Sequence, residues 1–218
     1  MKLKLFFALV LLLSFPYFTN AQSGREVTIG TKVPDVYIAN LQHYPADGAR
    51  LSQLYRGKLL LIEFWASYCG TCIGFMPKMD SLQQLFKEDV QVLTVTVEPQ
   101  AAVNKTLERL PHLKKLQLTG ITRDTVLYKL FPNRFVPHLV WIDSTGTLVA
   151  TTNHEEVTAE HITAFLKGEK NDLRTKKDNM TFDYRKPYQP IDTLVKYRSL
   201  LTSFDGSIGG GIGAFPGS

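Results

Sequence analysis

Residues 59–72 constrain this chain more than any other stretch. Leu59-Leu60-Leu61-Ile62-Glu63-Phe64-Trp65 is a near-continuous apolar run of strand length. Such a run suits a central strand covered on both faces, because a strand with one wet side would alternate. Soon afterwards Ile73, Met76, Met79, Leu82, Leu85 and Phe86 recur at three- and four-residue spacing. That spacing predicts an amphipathic helix over residues 70–87.

The rest of the chain extends the pattern. Residues 27–58 read as an entry segment: Val27 to Ile29, a turn over 30–34, Val36 to Leu41, a loop with Pro45, Asp47 and Gly48, and a short helical turn that Ser52 caps. Val90 to Val97 alternates as a strand, residues 100–110 form a helix ended by Pro111, and a further helix lies near Thr125–Leu130. His138 to Ile142 is a strand, 143–146 a turn, Thr147 to Thr151 its hairpin partner, and 158–167 a closing helix. Strands alternating with helices before a terminal hairpin indicate an α/β sandwich with a mixed sheet. After Gly168 the composition changes: 169–186 is highly charged and 205–218 is mostly glycine and small residues. The expected division is a targeting segment at 1–21, one domain at 22–168, and a low-structure C-terminal extension at 169–218, the alternative for the last being part of a second region.

Both cysteines of the chain fall in Cys69-Gly70-Thr71-Cys72. A C-x-x-C pair alone also occurs in zinc sites, but this pair leaves a buried strand and opens a helix. Unpaired N–H groups and the positive end of the helix dipole favour a thiolate there. Cys69, at the first turn, is the expected nucleophile, and Cys72, one turn further in, is placed to attack a mixed disulfide formed at Cys69. The competing readings are a passive disulfide and a metal site. A four-residue loop constrains the unfolded chain little, which makes stabilisation a poor reason for the pair.

The stretch Leu61 to Cys72, with Pro77 five residues on, resembles the active site of the thioredoxin superfamily. The entry Ile29-Gly30-Thr31-Lys32-Val33-Pro34-Asp35 and the approach Leu51-Ser52-Gln53-Leu54 through Gly57-Lys58 resemble its exported TlpA/ResA branch. The resemblance covers roughly residues 27–168. It implies a thioredoxin-like α/β/α sandwich with a central mixed sheet, and it carries three further positions. Glu63 matches a buried acid that exchanges a proton with Cys72; the alternative is a strand-end acid reaching water. Pro137 matches a cis-proline facing the cysteines, with Val136 pairing to an extended substrate segment; the alternative is an ordinary trans proline. Pro77 matches a helix-bending proline, or is a plain kink.

The resemblance has departures. Tyr68 stands where the family usually has Trp, as an aromatic wall beside the thiolate and a substrate-binding candidate, or simply as a surface aromatic. Phe75 stands where the cytochrome-maturation reductases of the branch tend to carry Glu, which weakens transfer of their substrate. The peroxiredoxin pattern P-x-x-x-T-x-x-C would need Pro at 62 and Thr at 66, and the chain has Ile62 and Ala66. No cofactor is implied. The five histidines show no metal spacing, although Cys69, Cys72 and His138 would make a soft-metal set if His138 approached the pair.

Lys2 and Lys4, an apolar run from Leu5 to Phe15, and Thr19-Asn20-Ala21 read as a signal peptide cleaved before Gln22, the alternative being a membrane anchor. Cleavage would lower the formal charge from +5 to +3, too weak and too scattered to argue for nucleic acid. With the resemblance, the sequence leads to the expectation of an exported, extracytoplasmic (periplasmic) thiol-disulfide oxidoreductase without stable membrane insertion. Its expected partners are exported protein thiols or disulfides and a membrane electron donor, with reduction the favoured direction. Two rivals remain open: a copper or zinc carrier using the same thiols, and an interaction protein whose redox domain is accessory. Thr181-Phe182-Asp183-Tyr184 weakly resembles the start of an extra region in longer relatives.

Overall fold

The computed structural model describes residues 27–169, 172–178 and 180, and the backbone of 195–198, 202–205 and 212–214. The signal peptide reading and the 181–184 segment lie outside the described residues. The entry segment forms a hairpin of β1 (Tyr37–Ala39) and β2 (Gly48–Arg50), which runs straight into α1 (Leu51–Tyr55). Ser52 is not the cap expected for that helix. It lies inside the first turn, and its N–H donates to the Asp35 carboxylate at 2.9 Å, so an acid 17 residues upstream satisfies the orphan donor.

The main sheet follows in alternation with helices: β3 (Leu59–Phe64), α2 (Gly70–Leu85), β4 (Val90–Val95), α3 (Gln100–Arg109), β5 (Thr119–Ile121), α4 (Leu127–Leu130), β6 (His138–Ile142), β7 (Leu148–Thr152) and α5 (Ala159–Leu166). The strand order is β5-β4-β3-β6-β7; β3, β4 and β5 are parallel, β6 runs antiparallel to β3, and β7 runs antiparallel to β6. This is the mixed-sheet sandwich expected from the sequence. All six residues of β3 are buried, as its unbroken apolar run requires of a middle strand. Each fully buried Leu or Ile there contributes about 1.5–3 kcal/mol of apolar transfer.

Two elements differ from expectation in informative ways. β4 stops at Val95, and five of its six residues are buried, because β3 and β5 flank it. The sixth, polar Gln91, is half-buried and donates to the Val92 carbonyl at 2.8 Å. β5 was not anticipated: Thr-Gly-Ile is too short for a period, and tertiary pairing with β4 and a bridge from Gln42 to Gly120 define it. Pro111, expected as a stop, begins a 3-10 turn at Pro111–Lys115.

The alternation of β3 divides the core. Leu59, Leu61 and Trp65 pack with Cys72, Met76 and Met79 of α2 and with Leu139 and Trp141 of β6. Leu60, Ile62 and Phe64 pack on the other face with Leu51 and Leu54 of α1 and with Val140 and Ile142. Past Gly168 the chain rejoins the sheet edge through Thr175, which bridges to Thr152. Beyond that, the described backbone is three short strands, β8 (Val195–Arg198), β9 (Thr202–Asp205) and β10 (Ile212–Ala214), paired antiparallel in the order β10-β9-β8.

Candidate active site

The end of β3 delivers the chain through Ala66, Ser67 and Tyr68 to Cys69, which is the N-cap of α2. Cys69 Sγ accepts the Cys72 N–H at 3.1 Å, doing for the first turn what a Ser or Asp oxygen does in an ordinary cap. The two cysteines form a disulfide. They are not equivalent: Cys69 is 9% exposed and Cys72 is fully buried. Only Cys69 meets both solvent and the positive end of a 16-residue helix.

Glu63 lies between Leu61 and Trp65 in the alternation of β3, and so on the face that packs Cys72. Its flanking strand partners are Thr94 and Leu139. The side chain is fully buried, which removes the reading of a strand-end acid in water. Neither carboxyl oxygen has a hydrogen-bond partner among the described residues. Burial pushes its pKa up to about 8, so the group is predominantly a neutral acid at pH 7.

The Val136–Pro137 bond is cis, in place of the trans alternative. β3 and β6 pair as far as Phe64 with His138, so one step further along the register Pro137 follows opposite Trp65. Val136 packs against the apolar cluster that contains both cysteines. His138 points the other way. It shares the face of Val140 and Ile142, with its ring 5.7 Å from that of Phe64. Burial, reinforced by the Lys176 charge, lowers its pKa to about 3, leaving a neutral imidazole. The soft-metal set of Cys69, Cys72 and His138 is therefore not assembled, because strand alternation separates the histidine from the pair.

A thioredoxin family model matches residues 49–123, which contain β3, the cysteine pair and α2. The fold is thioredoxin-like, and over this stretch the chain is similar to thiol-disulfide oxidoreductases of the ResA type. It is 36% identical over 106 residues to a thiol-disulfide oxidoreductase ResA of Geobacillus kaustophilus, covering 46% of this chain and 59% of that protein. It is 35% identical over 85 residues to a ResA of Geobacillus thermodenitrificans, covering 38% and 47%. The chain thus spans about half the length of these curated relatives. The crystal structure of the thioredoxin domain of a thiol-disulfide oxidoreductase from Bacteroides vulgatus shares the fold, with a TM-score of 0.50 at 17% identity over 66% of this chain and 98% of that one.

Within this thioredoxin-like domain Tyr68 is 83% exposed beside Cys69, a protruding ring and not a core aromatic. Phe75, one turn past Cys72, is buried edge-on against the His154 ring at 5.4 Å, so the wall beside the pair is apolar at this point. Pro77 lies inside α2, where its missing N–H leaves the helix one bond short. An apolar cavity of about 290 Å³ lies behind Trp65 and Met76, lined also by Val103, Leu113 and Leu118, and neither cysteine borders it.

The sequence reading missed Glu98. Its carboxylate accepts the Ser67 N–H at 2.5 Å and the Ser67 hydroxyl at 2.7 Å, clamping the loop that presents Cys69. Nothing in residues 96–99 signals this, because the partner lies 31 positions away.

Proposed function

We propose that this protein is an exported thiol-disulfide oxidoreductase that reduces disulfides in other exported proteins, drawing electrons from a membrane dithiol donor. The observation that carries the reading is the asymmetric pair: Cys69 at the start of a helix with 9% of its surface open, and Cys72 fully buried one turn behind it. In the reduced protein the Cys69 thiolate attacks one sulfur of a substrate disulfide and displaces the other as a thiolate. Cys72, losing its proton, then attacks Cys69 Sγ. The substrate leaves with both thiols, and the protein is left with the Cys69–Cys72 disulfide. Two electrons pass to the substrate, and the donor restores them.

Glu63 suits the proton step. Its pKa of about 8 is close to the ordinary thiol value of about 8.5, so a proton passes between the two groups at little cost. Tyr68 offers an apolar face to the substrate, and Val136 offers backbone groups to an extended segment of it. The sequence likeness to ResA proteins supports reduction as the direction.

Cys72→Ser, expressed in cells, is expected to accumulate mixed disulfides with exported proteins, visible on non-reducing gels, and Cys69→Ser is expected not to. Equal trapping by both variants would reverse or abolish the assigned roles. Intact mass of the exported protein is expected to begin at Gln22; a retained leader would remove the soluble assignment.

A further inference from the structure

After Gly168 the chain returns to the domain through residues that composition marks as a solvated tail. The Arg174 guanidinium lies on the Glu156 carboxylate, and the Arg174 N–H donates to the same group at 3.3 Å. Thr175 bridges antiparallel to Thr152, and the Lys176 N–H donates to the Thr151 carbonyl at 2.8 Å. This short strand addition turns Lys176 inward, where its side chain is 1% exposed. The ammonium donates to the Asp178 carboxylate at 3.0 Å and to the Phe135 carbonyl at 2.5 Å, with His138 Nδ1 at 3.4 Å. Asp178 Oδ2 also accepts the Arg134 N–H at 2.8 Å and the Phe135 N–H at 3.1 Å.

One buried ion pair therefore grips three backbone groups on the two residues directly before Val136. Such a pair adds little net stability over apolar residues of similar size, since desolvating both charges offsets their attraction. What it does provide is a single geometry for the backbone it holds. We propose that Lys176 and Asp178 are positioning residues for substrate recognition, fixing the 134–135 backbone so that the peptide groups of Val136 are aimed at an incoming strand. The segment 174–178 is then part of the recognition machinery and not an appendage. This inference rests on the reading of Val136 as the residue that pairs with substrate.

The test uses the full chain and two reactions. One is reduction of insulin, which needs a docked polypeptide. The other is reduction of the Cys69–Cys72 disulfide by dithiothreitol, which needs only access to sulfur, and Trp65 fluorescence follows it. Lys176→Met/Asp178→Asn removes both charges together and leaves no lone buried ion. Its kcat/KM for insulin should fall about ten- to a hundredfold while the dithiothreitol rate stays within about twofold, since misplacing a positioning element penalises only the substrate it positions. Equal losses in both reactions, or unchanged insulin reduction, would overturn the proposal. Val136→Glu separates this failure from that of the underlying reading. If it leaves insulin reduction at the wild-type rate, the Val136 reading fails and the clamp with it. If it lowers insulin reduction and the double variant does not, the reading stands and only the clamp fails. Should the double variant not fold, hydrogen exchange of the Arg134 and Phe135 amides in the wild-type protein decides. Slow exchange is expected, and exchange at the rate of open loop amides would overturn the grip on which the proposal stands.

Discussion

Glu63 and Asp178 both bring a carboxyl side chain out of water, one on the cysteine face of the sheet and the other behind the Val136 loop. Glu63 has no hydrogen-bond partner for either oxygen among the described residues. Asp178 directs one oxygen at an ammonium and two backbone N–H groups. An unpartnered buried carboxyl avoids the cost of its charge by keeping its proton, which makes it a proton store. A partnered one puts its charge to use by holding backbone in place. In the proposed cycle the same chemical group would serve reaction on one face and geometry on the other, and the number of donors around it decides which.

Substitution at Asp178 should have the largest effect. Asp178→Leu leaves the Lys176 ammonium buried without its counter-ion, at a cost of about 3–5 kcal/mol in urea unfolding. Glu63→Gln at pH 8 should cost nothing or add stability, because it removes a group that resists ionising. Similar losses at both positions would collapse the contrast between them.

The pH dependence sharpens it. Glu63 has a folded pKa of about 8 against an ordinary 4.5, so the folded protein binds the extra proton in between. Its contribution is fully present below pH 4.5 and is lost as pH rises towards 8, by a few kcal/mol at most given about 1.4 kcal/mol per unit. His138 acts in the opposite sense, its contribution being present above pH 6.5 and lost as pH falls towards 3. Of these two groups, only Glu63 therefore accounts for a decline between pH 6.5 and 8, and Glu63→Gln should flatten it in unfolding titrations. The same variant should slow resolution of the mixed disulfide towards pH 8, where a large share of Glu63 is ionised and can accept the Cys72 proton, by about ten- to a hundredfold, the usual weight of a positioned proton acceptor. Unchanged slope and rate would make Glu63 a filler of space.

Glu98 falls between the extremes, half-buried and bonded to Ser67. Ser67→Ala removes one of its two bonds and should cost about 1 kcal/mol, a small drop in melting temperature, with dithiothreitol exchange nearly unchanged. A larger loss would place the Cys69 loop closer to the Asp178 case than its exposure suggests.

Legibility in the sequence followed the range of the forces involved. β3 and α2 were readable because their signals are local: an unbroken apolar run, and a spacing of three and four. The cysteine pair was readable because its meaning depends on the strand before it and the helix after it. Glu63 was half readable: the alternation of β3 sets its face, but only the packed sheet decides whether water reaches it. Ser52 misled, because a capping residue in the right place lost to Asp35, which the hairpin brings to the helix start. Lys176 and Asp178 could not be found. In a run of charges they look like any solvated segment, and their backbone partners lie more than 40 positions upstream.

The cap of α2 has one more consequence. The Cys72 amide hydrogen points at Cys69 sulfur, the atom whose bonding changes in each turn of the proposed cycle. A thiolate accepts a hydrogen bond more strongly than a disulfide sulfur does, as any ionised acceptor outdoes a neutral one. That amide is therefore a resident probe: its proton resonance should move downfield when the pair is reduced to the Cys69 thiolate and return on oxidation. The helix start records the electron count of the molecule in a single nuclear frequency, with no label or dye.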